Sequence, residues 1–114
     1  MDVTLIDKPI SRLQLKEAAE ELFGDMAKAV VDVEKEIMAI GGELHADEEA
    51  FLLNTGSKQE HLWGINVYPE RELPEMIEFD SMINIRPRQN NRSRNVEDPV
   101  LREKIVSITR KLLA

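Results

Sequence analysis

Cysteine is missing from this chain altogether. That excludes disulfides, thiolate catalysis and thiolate metal sites together, and leaves stability to packing. Aromatic residues are nearly as scarce, one Trp, one Tyr and three Phe, which argues against a base-stacking platform for nucleic acid. No apolar run approaches the roughly 20 residues of a bilayer span. The first residues, Met1-Asp2-Val3-Thr4-Leu5-Ile6-Asp7-Lys8-Pro9, offer neither the basic start nor the apolar stretch of a signal peptide. No membrane segment is therefore expected, and a cytoplasmic location is the default. Motifs that name a chemistry are also missing. There is no His-Glu-x-x-His, no calcium loop and no phosphate-cradling glycine loop, since Gly41-Gly42 stands alone; Gly56-Ser57 lacks the second glycine of a nucleophile elbow. The sequence assigns no cofactor, no metal and no catalytic residue, and leans away from an enzyme.

Acid is what the chain has most of. Its net charge is −7 over 114 residues, the size of one domain with one core. An acidic body does not suit duplex nucleic acid, which is bound through spread basic charge. Against that background four arginines crowd into Arg86-Pro87-Arg88-Gln89-Asn90-Asn91-Arg92-Ser93-Arg94 with no acid among them. Arginine forks suit carboxylate and phosphate, and the interleaved amides add neutral donors.

Periodicity predicts an α+β fold over residues 1–114. Residues 2–6 read as a short strand. Ser11 with Gln14 forms a capping box opening a helix over about 11–23, with Leu15, Ala18, Ala19 and Leu22 on its buried stripe and Gly24 as its stop. Residues 26–40 read as a hairpin turning at Glu34-Lys35-Glu36, because Val30-Val31-x-Val33 favours a strand; a helix is the alternative, and the turn lacks a Gly, Asn or Asp for a positive φ. His45 to Glu49 read as a connection and 49–54 as a strand, with a short helix as the alternative. Ser57-Lys58-Gln59-Glu60 has the form of a capping box for one helical turn ending at Gly64, and Ile65 to Tyr68 extend. Residues 76–86 alternate, with Ile77, Phe79, Ser81, Ile83 and Ile85 on one side, and read as the clearest strand. After the loop, Asp98 and Pro99 open a helix over about 99–113 with Leu101, Ile105, Ile108 and Leu112 inward. The expected assembly is an antiparallel sheet of about four to six strands. Both long helices would lie on one face and the other would be polar and solvated.

The runs Ile40-Gly41-Gly42-Glu43-Leu44-His45-Ala46-Asp47, Leu62-Trp63-Gly64-Ile65-Asn66, Phe79 to Pro87 and Asn91-Arg92-Ser93-Arg94 carry a resemblance. The chain is similar to a family of small prokaryotic proteins catalogued only as a domain of unknown function. The resemblance covers most of the chain and implies no activity. It implies a glycine in the hairpin turn, where this chain has Glu36.

The arginine segment is the first candidate site. Arg86, Arg88, Arg92 and Arg94, with Asn90 and Asn91, could capture an anionic small molecule or an acidic protein; Glu97 and Asp98 beside them compete for the arginines. The competing reading is structural, with the arginines paired to the chain's own carboxylates or to a second subunit in a homo-oligomer. A second constellation is the polar side of the 76–86 strand, Glu78, Asp80, Asn84 and Arg86, joined by Asn66 and Tyr68. It could line a shallow pocket with His45 and Asp47 at the rim, giving an enzyme His45 as acid or base and Arg86 as anchor. Its plain counterpart is an ordinary solvated sheet face. His45-x-Asp47-Glu48 has metal-binding side chains, but a surface turn accounts for it without the missing further ligands. Trp63 between apolar neighbours reads as core rather than as a binding aromatic. The function these residues support is a non-enzymatic binding module working through the arginine loop.

Overall fold

A computed structural model describes residues 3–113. Five strands, β1 (Thr4–Ile6), β2 (Ala27–Asp32), β3 (Ile37–Ile40), β4 (Leu62–Val67) and β5 (Ile77–Glu78), form one antiparallel sheet in the order β1-β3-β2-β4-β5. Three helices accompany it: α1 (Arg12–Leu22), α2 (His45–Asn54) and α3 (Pro99–Leu113). The α+β class, the antiparallel sheet and the two longer helices on one face are as expected. Asp2 of the first predicted strand lies outside the described residues.

The helix ends follow from their caps. Ser11 and Gln14 satisfy each other's backbone N–H groups at 3.1 and 2.9 Å, and Gly24, at φ 90°, closes α1 by donating to Ala19 O. Asp98 accepts from the Val100 N–H at 2.9 Å, with Pro99 at the first position of α3. Leu15 and Ala19 of α1 and Ile105, Ile108 and Leu112 of α3 pack on Val31, Met38 and Ile65 of the sheet. Trp63 joins this core. Leu22 departs from the predicted stripe and is 39% exposed.

The β2–β3 hairpin forms as predicted, and its turn chemistry comes from an unexpected place. Asp32, the last residue of β2, accepts from the Glu34 and Lys35 N–H groups through Oδ1 and from the Ser57 hydroxyl through Oδ2. Glu36 carries the positive φ, 57°. An Asp bonding the backbone two residues on can set a turn without glycine inside it.

Four expectations are corrected. Residues 45–54 are helix α2, neither a connection nor a strand. His45, Glu48 and Leu52 fall on its buried side, and two of those three are polar, which hid the stripe. The predicted strand 76–86 survives only as Ile77–Glu78. Beyond it the chain turns twice in short 3-10 segments, Met82–Asn84 and Pro87–Gln89. Ser81 starts the first of these by accepting from the Ile83 N–H, and the side chains that go inside are Ser81 and Asn84, while Ile85 is 40% exposed. Ser57 caps no helix, because its hydroxyl is held by Asp32; a 3-10 turn covers Gln59–His61 and Gly64 lies within β4. The second sheet face is not open either. α2 covers its β2–β3 half with Leu52 against Val30, Ala39 and Leu62. The result is three layers, with a polar remainder where β4 and β5 extend past α2.

Candidate functional site

The arginine loop turns most of its polar groups back onto the protein. β5 pairs with only the last residues of β4, Asn66 opposite Glu78 and Val67 opposite Ile77, so the edge of β4 at Gly64 and Leu62 needs other partners. Asn84 supplies them at Gly64: its Oδ1 accepts from the Gly64 N–H at 2.8 Å and its amide donates to Gly64 O at 3.0 Å and to Arg94 O at 2.9 Å. A Cβ on Gly64 would lie 2.6 Å from Ser81, so glycine is what lets this segment approach. Arg86 completes the edge. Its guanidinium donates to Leu62 O and to Gln59 O (2.6 Å for the latter) and stacks 4.0 Å from the centre of the Trp63 ring.

Asn91 organises the rest. It is 3% exposed; its amide donates to Asn84 O and Asn95 O at 2.7 Å each, and its Oδ1 accepts from the Glu97 N–H. Asn90 sits in the left-handed conformation at φ 59°. The loop does build an anion nest, from the Arg92 and Ser93 N–H groups and the Ser93 hydroxyl, but Glu97 Oε2 fills it at 3.0, 3.0 and 2.7 Å. Those contacts, the Ser93 hydroxyl first, hold the Glu97 carboxyl below its usual range. Arg94 pairs with Asp80 at 2.5 Å. Arg88 and Arg92 are exposed and, among the described residues, make no ion pair.

Another arrangement lies at the start of α2. A cavity of about 200 Å³ opens there, lined by Lys28 of β2, Asn66 of β4, His45 of α2, and Asp80, Ser81 and Arg94. Three residues singled out from sequence, His45, Asp80 and Arg94, meet here, and Asn66 joins them. Arg86, Asn84 and Asn91 are held elsewhere, and Arg88, Asn90 and Arg92 do not line it. Lys28 and Leu44 were missed. Lys28 looked like any outward residue of an alternating strand; the signal that could have found it is its register directly opposite Asn66.

The chemistry of this cavity is incomplete in three respects. Leu44 occupies the N-cap of α2 and no side chain caps that terminus; Ser, Thr, Asp or Asn is the usual choice there. Lys28 has no ion-pair partner among the described residues, its ammonium lying 5.4 Å from the Phe23 ring centre. Asn66 is 6% exposed; its amide donates to Glu78 Oε1 and Asp80 O while its Oδ1 is buried with no partner. His45 closes the back, bonding Ile65 O through Nε2 at 2.8 Å. Burial, helped by Lys28 and Arg94, pushes its imidazole below the ordinary value, which favours the neutral form. One turn on, Glu48 is fully buried with Oε2 on the Gly42 N–H and Oε1 unpartnered, and burial pushes its carboxyl up to about 9. His45, Asp47 and Glu48 do not form a metal cluster, and no group of three such side chains that could hold a metal occurs among the described residues.

A family model matches residues 4–112. The chain belongs to DUF5674, a family of proteins of unknown function. Neither the curated proteins nor the solved structures searched contain a match. Among the described residues no helix is long and apolar enough to cross a membrane. The family supplies no activity.

Proposed function

We propose that this protein is a non-enzymatic binding module that takes a small anion in the cavity at the start of α2. The observation that supports this is the meeting of an uncapped helix terminus with Lys28, a cation without a carboxylate. Backbone N–H groups at a helix start, aligned with the macrodipole, favour an anion. A nearby ammonium adds a charge-assisted hydrogen bond. The role moves from the arginine loop, where Glu97 already occupies the nest, to the start of α2. Arg94 stands at the cavity mouth with its charge balanced by Asp80.

Titration with acetate and with inorganic phosphate, followed by amide NMR, tests this. Saturable shifts are expected at Ala46 and Lys28, with Lys28→Met weakening binding about tenfold, the loss of one charge-assisted bond. Shifts confined to residues 86–94, abolished by Arg88→Ala with Arg92→Ala and untouched by Lys28→Met, would return the function to the loop.

A further inference from the structure

We infer that the outer face of α3 is a docking groove for an acidic peptide segment of a partner protein, one that carries an apolar side chain between two carboxylates. A cleft of about 510 Å³, within the range of ligand clefts, lies between α3 and the chain on either side of β5. Its apolar lining is Pro74, Phe79 and Val106, and its charged lining is Arg102, Glu103 and Arg110. Phe79 and Val106 are half-buried and rest on the main core, so the floor is in place before anything binds. The groove shares no lining residue with the cavity at the start of α2.

Charge selects the occupant. The chain carries 22 acidic side chains against 15 basic ones. Even so, neither Arg102 nor Arg110 has an ion pair or a side-chain hydrogen bond among the described residues. Arg102 closes the first turn of α3, which holds no acid although the helix dipole favours an anion there. Its guanidinium lies 4.7 Å from the centre of the Phe79 ring; stacking uses the flat face and leaves the N–H edge for a carboxylate. Glu103 offsets one arginine, so the groove keeps one net positive charge in a net-negative protein.

Spacing distinguishes a peptide from a small anion. Arg102, Val106 and Arg110 recur every fourth residue of α3, so each step rises about 6 Å and the arginines stand about 12 Å apart along the axis. An extended chain puts residues i, i+2 and i+4 on one side at steps of about 6.6 Å. A Glu-x-Leu-x-Glu segment therefore sets its leucine over Val106 and Phe79 with one carboxylate near each arginine. Among the exposed large apolar side chains of this protein, Phe23 alone has acids two positions away on both sides, Glu21 and Asp25. Phe23 ends α1 in helical backbone and Gly24 turns left-handed after it, so those acids are not displayed on one extended face. A second copy thus does not supply the segment, and the partner is a different protein.

Anisotropy titration of the whole protein into fluorescein-labelled Ser-Glu-Thr-Leu-Thr-Glu-Ser tests this, beside peptides with leucine changed to serine or both glutamates to glutamine. Binding should be saturable, about tenfold weaker without the leucine and about fivefold weaker without the two carboxylates. Amide shifts should centre on Phe79 and Val106, and Lys28→Met should leave peptide binding unchanged. Arg102→Glu with Arg110→Glu, both exposed, should reverse the preference towards the peptide with lysines in place of the glutamates. No saturable binding, equal affinity for the acidic and the lysine peptide, or acidic-peptide binding unaffected by the double substitution would each overturn the inference. A self-association in sedimentation equilibrium that the double substitution abolishes would also overturn it, making the groove a contact between copies. None of these results bears on acetate binding beside Lys28, so the two readings fail separately.

Discussion

The arginine loop and the start of α2 are opposite in how their polar groups are answered. In the loop, most inward-facing polar groups have a partner within the chain: Asn84 stands in for a strand beside Gly64, Arg86 reaches two carbonyls although its Nε is buried without an acceptor, Asn91 gathers three, and Glu97 sits in the nest the loop makes, while Arg88 and Arg92 stay exposed. At α2 the helix start has no cap, Lys28 no carboxylate, and Asn66 and Glu48 each keep a buried oxygen without a donor. Charge that is dense in sequence is thus largely internal structure, while the unanswered groups come from three separated segments and carry fewer charges. Unanswered polar groups cost stability and persist where something else depends on them.

The comparison can be broken most forcefully at Glu48. Its carboxyl, pushed up to about 9 in the folded chain from 4.5, binds a proton that the unfolded chain releases. The stability it contributes is complete below pH 4.5 and is lost as pH rises towards 9. Glu48→Gln, which retains an acceptor for the Gly42 N–H, should match the wild type near pH 4 and then gain on it by about 1.4 kcal/mol per pH unit up to pH 9. Urea unfolding at a series of pH values reads this directly, and a constant difference would mean Glu48 is not the strained group described above. Next comes Asn84→Ala, which strips partners from the Gly64 N–H and C=O and from Arg94 O; about 3 kcal/mol should be lost in the same assay. A loss under 1 kcal/mol would show that water replaces the amide easily and that the loop is less closed than its contacts imply. The smallest effect is expected from Arg88→Ala with Arg92→Ala: under about 0.5 kcal/mol in stability and no change in acetate affinity.

Elements with regular spacing and self-contained caps were legible: α1 through Ser11 and Gln14, α3 through Asp98 and Pro99, the hairpin through its β-branched run. Elements whose inward residues are polar were not. The burial of His45 and Glu48 broke the helical stripe of α2, and the alternation of 76–86 hid a chain that turns so that Asn84 can bond across to Gly64. That bond joins positions 20 apart, which periodicity cannot sense. His45, Asp80 and Arg94 were legible as chemistry, and Asn66 as a neighbour. Lys28 was not, because its freedom from partners is a property of the packed sheet.

Glu36 links two further parts of the chain. It holds the hairpin's left-handed position, φ 57°, which suits glycine better, and its carboxylate lies 3.3 Å from Lys104 and 3.7 Å from Lys111 on α3. A glycine there would relieve the backbone and release both lysines, trading two weak exposed ion pairs for conformational ease. Position 36 therefore ties the hairpin to α3 through backbone conformation and charge at once, and Glu36→Gly would separate the two, relaxing the turn while removing both ion pairs.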